Sequence, residues 1–447
     1  MRLLVCFAIL LYCGQTAFTQ PLQPIDSVYV SQLLAFSAKA KRFTNQVWPG
    51  MSIGPACIFR QNGPAFLINH PRPPVNATYL GDSIYRLEQA DLALAGTAQT
   101  DINGYLTAHH HYDQSFFISH NQFYAELFHE LHHVYQRNHI KTIQFDNPAI
   151  LLTYPEDHRN DALKQYENEC LLAMVQGPAE QFTTNLNRFF SCRMARKNII
   201  GEKYLNYEKS VESAEGPATY CEYKYMQAFG LSLAEKQYID KRFFYTLIEP
   251  SYGREGLRNK HLLTGMLQCL LLSRTVKNWQ SAYYQSGLSL NDYFFTKFIP
   301  KQISLPDLAT YQARATYFTA LVKEKHTQHL AAFHQQDGVK VTLLFKRVPD
   351  FRGFDPMHAE SMNDSLTLHS TLFKVGKSNN HLTIVDQPVL SLTRDQIWFV
   401  KQVTFFVPAS AVSFNNNTFT CQTQQVAVSW QYLMHEKTRD GYILMVE

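Results

Sequence analysis

From about residue 121 the apolar positions fall three and four apart: Phe123, Tyr124, Leu127, Phe128, Leu131, Val134 and Tyr135. That spacing puts them on one face of a helix. The same period recurs over about 161–175, 184–202, 204–225, 238–249, 257–276 and 308–333, so the middle of the chain is predicted to be mainly helical. An earlier helix is expected over 27–40. Between them, 46–74 carries short apolar runs such as Ala56-Cys57-Ile58-Phe59, set off by Pro and Gly, which read as short strands joined by turns. Residues 82–95 add strand or helix, and Asn103-Gly104 is a tight-turn signal. Near Asp337-Gly338 the texture changes. Residues 339–345, 366–375, 381–385, 398–407 and 424–431 read as strands. The expected fold is α+β: a mainly helical domain over 20–336, strand-rich at its N-terminal end, then a small β-rich C-terminal domain over 337–447.

Composition agrees with a folded chain. Of 447 residues 45% are hydrophobic and 17% charged, which excludes wholesale disorder. Net charge is only +4 and no Lys/Arg run is present, which argues against nucleic acid as a partner. The first residues change the picture more. Arg2, an apolar run over 3–12 and the small or polar residues after it read as a secretory signal peptide over 1–19, so the protein is expected to be exported, periplasmic or secreted. Tyr12 before Cys13 is bulky where a lipoprotein signal wants a small residue. No later stretch is apolar and long enough to span a membrane. Six cysteines then remain, widely spaced and without a CxxC pair, so buried thiols with at most one bridge are expected rather than a zinc–thiolate site.

The chemistry lies in His129-Glu130-Leu131-His132-His133, inside the strongest amphipathic segment. His129 and His133, four apart on a helix, face the same way and can share one zinc ion. Glu130, one position round, cannot join them as a ligand but can take a proton from a water at the metal. His132 is expected to face solvent or to support a ligand. A third protein ligand is required. Glu208, Glu212 and Glu215 share one face of a later helical segment, and either Glu215 or Glu212 can supply it; a solvated acidic face is the alternative. The run His109-His110-His111 follows a turn and reads as a polar loop flanking the cleft. Tyr220, Tyr223 and Tyr225 are candidate donors to an oxyanion. Glu167 and Glu169 either orient a histidine ligand or pair with Arg193 and Arg196.

An H-E-x-x-H helix followed by Glu-Gly-x-Ala-x-Tyr, here Glu215-Gly216-Pro217-Ala218-Thr219-Tyr220, resembles the gluzincin metallopeptidases. The order of helices is similar to that of uncharacterised exported bacterial members, with a Glu-bearing helix at Gln165-Tyr166-Glu167-Asn168-Glu169 and an Arg-x-x-Arg at Arg193 to Arg196. The resemblance covers about 120–225. It implies a zincin-like helical catalytic domain, with His129, His133 and Glu215 as zinc ligands, Glu130 as base, and peptides or proteins as substrates; of the three candidate tyrosines, Tyr220 is the one expected to act as a catalytic hydroxyl. Two features depart from the thermolysin-like pattern. About eighty residues separate His133 from Glu215, and Pro217 is expected to start or kink a helix. A non-catalytic exported binding protein holding zinc as a structural staple, with a fourth protein ligand, is the rival reading.

Overall fold

The computed structural model describes residues 24–446 apart from 61–62, 89–93, 95–96, 142, 144, 146, 148, 250–253, 356–357, 378 and 395. The expected signal segment, 1–19, lies outside the described residues. The chain is α+β. Helix α1 (Pro24–Val47) is followed by six strands, β1 (Ala56–Phe59), β2 (Ala65–Ile68), β3 (Thr78–Gly81), β4 (Ile84–Leu87), β5 (Thr97–Ile102) and β6 (Tyr105–His111). They form one sheet in the order β3-β4-β2-β1-β6-β5. β1 and β6 run parallel and every other pair is antiparallel. The turn between β5 and β6 uses Asn103 (φ 50°) and Gly104 (φ 84°), the left-handed pair that a two-residue hairpin requires. β5 ends the sheet, with β6 as its partner.

The helices follow: α2 (His120–His139), α3 (Ala149–Leu152), α4 (His158–Gln176), α5 (Phe182–Ile200), α6 (Glu202–Phe229), α7 (Leu233–Asp240), α8 (Thr246–Ile248), α9 (Arg254–Thr275), α10 (Trp279–Ser286), α11 (Leu290–Lys297) and α12 (Ala309–His334). Lys241–Tyr245, between α7 and α8, is a π-turn. From Val339 to Val446 the described chain is strand-rich and forms a second sheet, of twelve strands, so the change from helix to strand falls where the sequence placed it. No helix among the described residues is long and apolar enough to cross a membrane. The six cysteines among the described residues are buried and free.

Two corrections concern local structure. His109-His110-His111 is not a loop: it is the end of β6, registered against Cys57, Ile58 and Phe59. Nor does α6 break at Pro217. Proline has no N–H for the carbonyl four residues earlier. The Tyr283 hydroxyl donates to that carbonyl, Ser213 O, at 3.5 Å, while the Gln136 side-chain amide donates to Ala214 O at 3.0 Å. The Tyr283 hydroxyl thus answers the carbonyl that the proline leaves without a helical donor, and one helix carries both Glu208 and Glu222.

Helix α6 lies against α2 and α9. Its close crossing with α9 explains Gly216: a Cβ there would sit 2.6 Å from the Gly265 Cα. The glycine beside the candidate ligand is therefore a packing requirement. Gly216→Ala is expected to cost about 1–3 kcal/mol by overpacking, read as a lower urea midpoint with an unchanged slope. An unaltered midpoint would mean that the two helices part without cost.

Candidate metal centre

Ser119 caps α2 by accepting from Gln122 N, and the helix then buries Phe123, Leu127, Phe128, Leu131 and Val134. This packing fixes the rotation of α2 and points His129 and His133 at α6. Glu215 meets them there. The two Nε2 atoms are 3.1 Å apart, and Glu215 Oε2 lies 3.3 Å from His129 Nε2 and 3.2 Å from His133 Nε2. The three side chains are buried.

The outer ring nitrogens decide which atoms face inward. His129 Nδ1 lies 3.1 Å from Glu222 Oε2. A carboxylate only accepts, so Nδ1 carries the hydrogen and Nε2 presents a lone pair. His133 Nδ1 lies 2.8 Å from Gln136 Oε1. The Gln136 amide is oriented by Ala214 O, which only accepts, so its Oε1 must face the ring and His133 Nε2 also presents a lone pair. Two imidazole lone pairs and one carboxylate oxygen thus converge. Three acceptors that close need a positive charge between them. Donors about 2.0–2.1 Å from one ion at tetrahedral angles stand roughly 3.3 Å apart, which matches the observed separations. This buried His-His-Glu group can hold a metal ion.

The electrostatics agree. Burial disfavours a charged His129 ring, yet bonds to Glu215 and Glu222 and the charge of Glu130 outweigh it and push its pKa up to about 10. Burial likewise disfavours the Glu215 carboxylate, but Arg258, His133 and His129 hold its carboxyl well below the usual range. The site demands a cation: without a metal a proton on His129 Nε2 meets that demand, and a metal ion bound there would displace it and leave the lone pair.

Glu130 is buried beside this group, and the Gln99 side-chain amide of β5 donates to its Oε2. Gln99 Oε1 in turn accepts from Arg137 Nε at 3.3 Å.

Other expectations fare differently. Glu212 is not free to be a ligand: it accepts from Arg193 at 2.7 and 2.9 Å and from Thr264 at 2.8 Å. Tyr220 is not brought to the group. It lies five residues past Glu215, about 500° of turn and so roughly 140° off that face. Its ring packs on Trp48 and Trp279 and its hydroxyl accepts from Ser273 at 2.9 Å. Burial raises its pKa. Tyr223 and Tyr225 pack against Phe243 and Phe43. His132 does not face solvent: it is fully buried, 4.5 Å from the Trp48 ring centre. Glu167 pairs with Arg193 and Arg196, and Glu222, which sequence reasoning passed over, supports His129 instead. Glu222 was visible in principle, seven residues past Glu215 and so nearly in line with it. Gln99, Gln136 and Arg258 carry no signal of their own in the sequence.

Comparison of the chain with protein-family models, curated proteins and solved structures finds no match. The centre is therefore read from its own residues.

Proposed function

We propose that this chain is an exported zinc-dependent hydrolase of the gluzincin kind that cleaves peptide bonds. The observation that carries the reading is the convergence of three buried acceptors beside the Glu130 carboxylate. His129, His133 and Glu215 would hold the zinc ion, which when bound would supply Lewis-acid polarisation and lower the pKa of a water toward neutrality. Glu130 takes the proton of the attacking water and passes it to the leaving amine. Gln99 holds one Glu130 oxygen and leaves the other for that task. Glu222 and Gln136, each on a ring Nδ1, fix the orientation of the histidines and turn both Nε2 atoms inward.

Peptide is favoured over other carbonyl substrates by the position of β5. It ends the sheet, and its Gln99 touches Glu130. An extended chain can add to such an edge through backbone hydrogen bonds. That would lay a peptide carbonyl beside the base.

A structural zinc staple needs a fourth protein ligand. Among the described residues the metal-ligand group contains three. Glu212 is paired with Arg193, and His110 Nε2 with Glu126 at 2.9 Å. The ligand count favours a catalytic centre. The test is hydrolysis of a mixed peptide library by the zinc-loaded protein, with a chelator and then added zinc. Cleavage that stops and returns supports the reading; a loaded protein that cleaves no peptide contradicts it.

A further inference from the structure

The two oxygens of Glu215 have different neighbours. Oε2 faces His129 and His133, as above. Oε1 accepts from Arg258 Nη2 at 2.6 Å. Glu222 shows the same division: its Oε2 faces His129 Nδ1, and its Oε1 lies 3.8 Å from Arg242 Nε.

A carboxylate can meet a cation with one oxygen or with both. We propose that Arg258 is a positioning residue that restricts Glu215 to one-oxygen ligation through Oε2 and so keeps the metal centre four-coordinate, with one position left for the reaction. The proposal rests on the metal-centre reading above. Three observations support it. The Arg258–Glu215 contact has the short length of a charge-assisted bond. Both side chains are largely out of water, Arg258 at 14% exposure and Glu215 at 11%, so surrendering Oε1 to an ion would break a charge-assisted bond in a poorly solvated place. The backbones behind them cannot drift apart easily. Glu215 precedes Gly216, and Arg258 lies two turns before Gly265, the two glycines through which α6 and α9 touch.

A third ligand that took the ion with both oxygens would raise the coordination number and fill the place a catalytic zinc centre keeps open. The sequence gives no sign of this role, because Arg258 sits among polar residues at the start of a helix.

Cobalt(II) reports coordination number directly: four-coordinate centres absorb visible light several-fold more strongly than five- or six-coordinate ones. The experiment loads the whole mature protein with Co²⁺ alone and compares it with Arg258→Met and Arg258→Lys. Methionine fills the space without a donor; lysine keeps one charged donor. We expect the Arg258→Met band to fall several-fold with unchanged cobalt stoichiometry, and Arg258→Lys to recover much of it. A fall in metal affinity of about 10- to 100-fold should accompany the methionine variant. Melting curves of the metal-free proteins establish that each variant is folded; Arg258→Gln replaces the methionine variant if that one is not. Identical spectra in the folded variants would overturn this proposal alone. An unsubstituted protein that takes up no cobalt would overturn the metal-centre reading and this proposal with it.

Discussion

Glu130→Gln is expected to lower kcat by about 10²- to 10⁴-fold while leaving KM and metal content nearly unchanged. Glutamine keeps the size of the side chain and its carbonyl oxygen can still accept from Gln99. The position is preserved and the proton acceptor is lost. The loss corresponds to roughly 3–5 kcal/mol of transition-state stabilisation. Kinetics on a peptide found by library screening, with zinc measured on the same samples, check it. A variant that keeps full kcat would remove Glu130 from the chemistry. A variant that loses its zinc would make the residue part of the metal's support instead.

The second large effect is on stability. Three carboxylates of the helix α4–α6 layer, Glu167, Glu208 and Glu212, are fully buried. Arg193 reaches Glu167 and Glu212, each at 2.7 Å. Arg196 reaches Glu167 at 2.8 Å and also bonds Glu208, Asn160 and Tyr154. Lys164 adds a contact to Glu167 at 3.1 Å. Removing one partner from such a set leaves a buried charge unanswered. Arg196→Met, which keeps most of the volume, is expected to cost about 3–5 kcal/mol in denaturant unfolding. The exposed pair Lys197–Glu202 is the control, and Lys197→Ala should cost under about 1 kcal/mol. Equal costs would mean that the buried ions are worth no more than surface ones.

The same network sets a direction for acid. Burial opposes charge on Glu167, but Arg193, Lys164 and Arg196 outweigh it and bring its pKa down to about 2. Glu208 and Glu212 are held low by Arg196 and Arg193 respectively, against burial. Groups depressed in the folded state lend stability that is present above their unfolded pKa, near 4.3, and is lost as pH falls from there toward 2.

These residues also show what the sequence could and could not disclose. Periodicity alone located α2, α4, α5 and α6, because each buries an apolar stripe that recurs at helical spacing. It also placed Glu208, Glu212 and Glu215 on one face. A solvated acidic face would have produced the same spacing. Instead each acid meets an arginine from elsewhere: Arg196, Arg193 and Arg258. Those meetings depend on how α5 and α9 pack on α6, and local pattern does not encode packing. Tyr220 shows a simpler limit: five residues along a helix turn a side chain to another face, so nearness to Glu215 in the motif is not nearness in space. At Pro217 the reverse holds: the donor that answers the freed Ser213 carbonyl is the Tyr283 hydroxyl, far off in the chain, so local pattern cannot show that the helix continues. The short helices α10 and α11 escaped notice because their aromatic residues pack without a long amphipathic period.

If His129, His133 and Glu215 hold one metal ion, zinc per chain will show it, measured on the purified protein beside Glu215→Ala and Glu130→Gln. The expected result is about one zinc in the unsubstituted protein, retention in Glu130→Gln and loss of most of it in Glu215→Ala. An unsubstituted protein that stays free of zinc after reconstitution, or a Glu215→Ala protein that keeps its full complement, would contradict it.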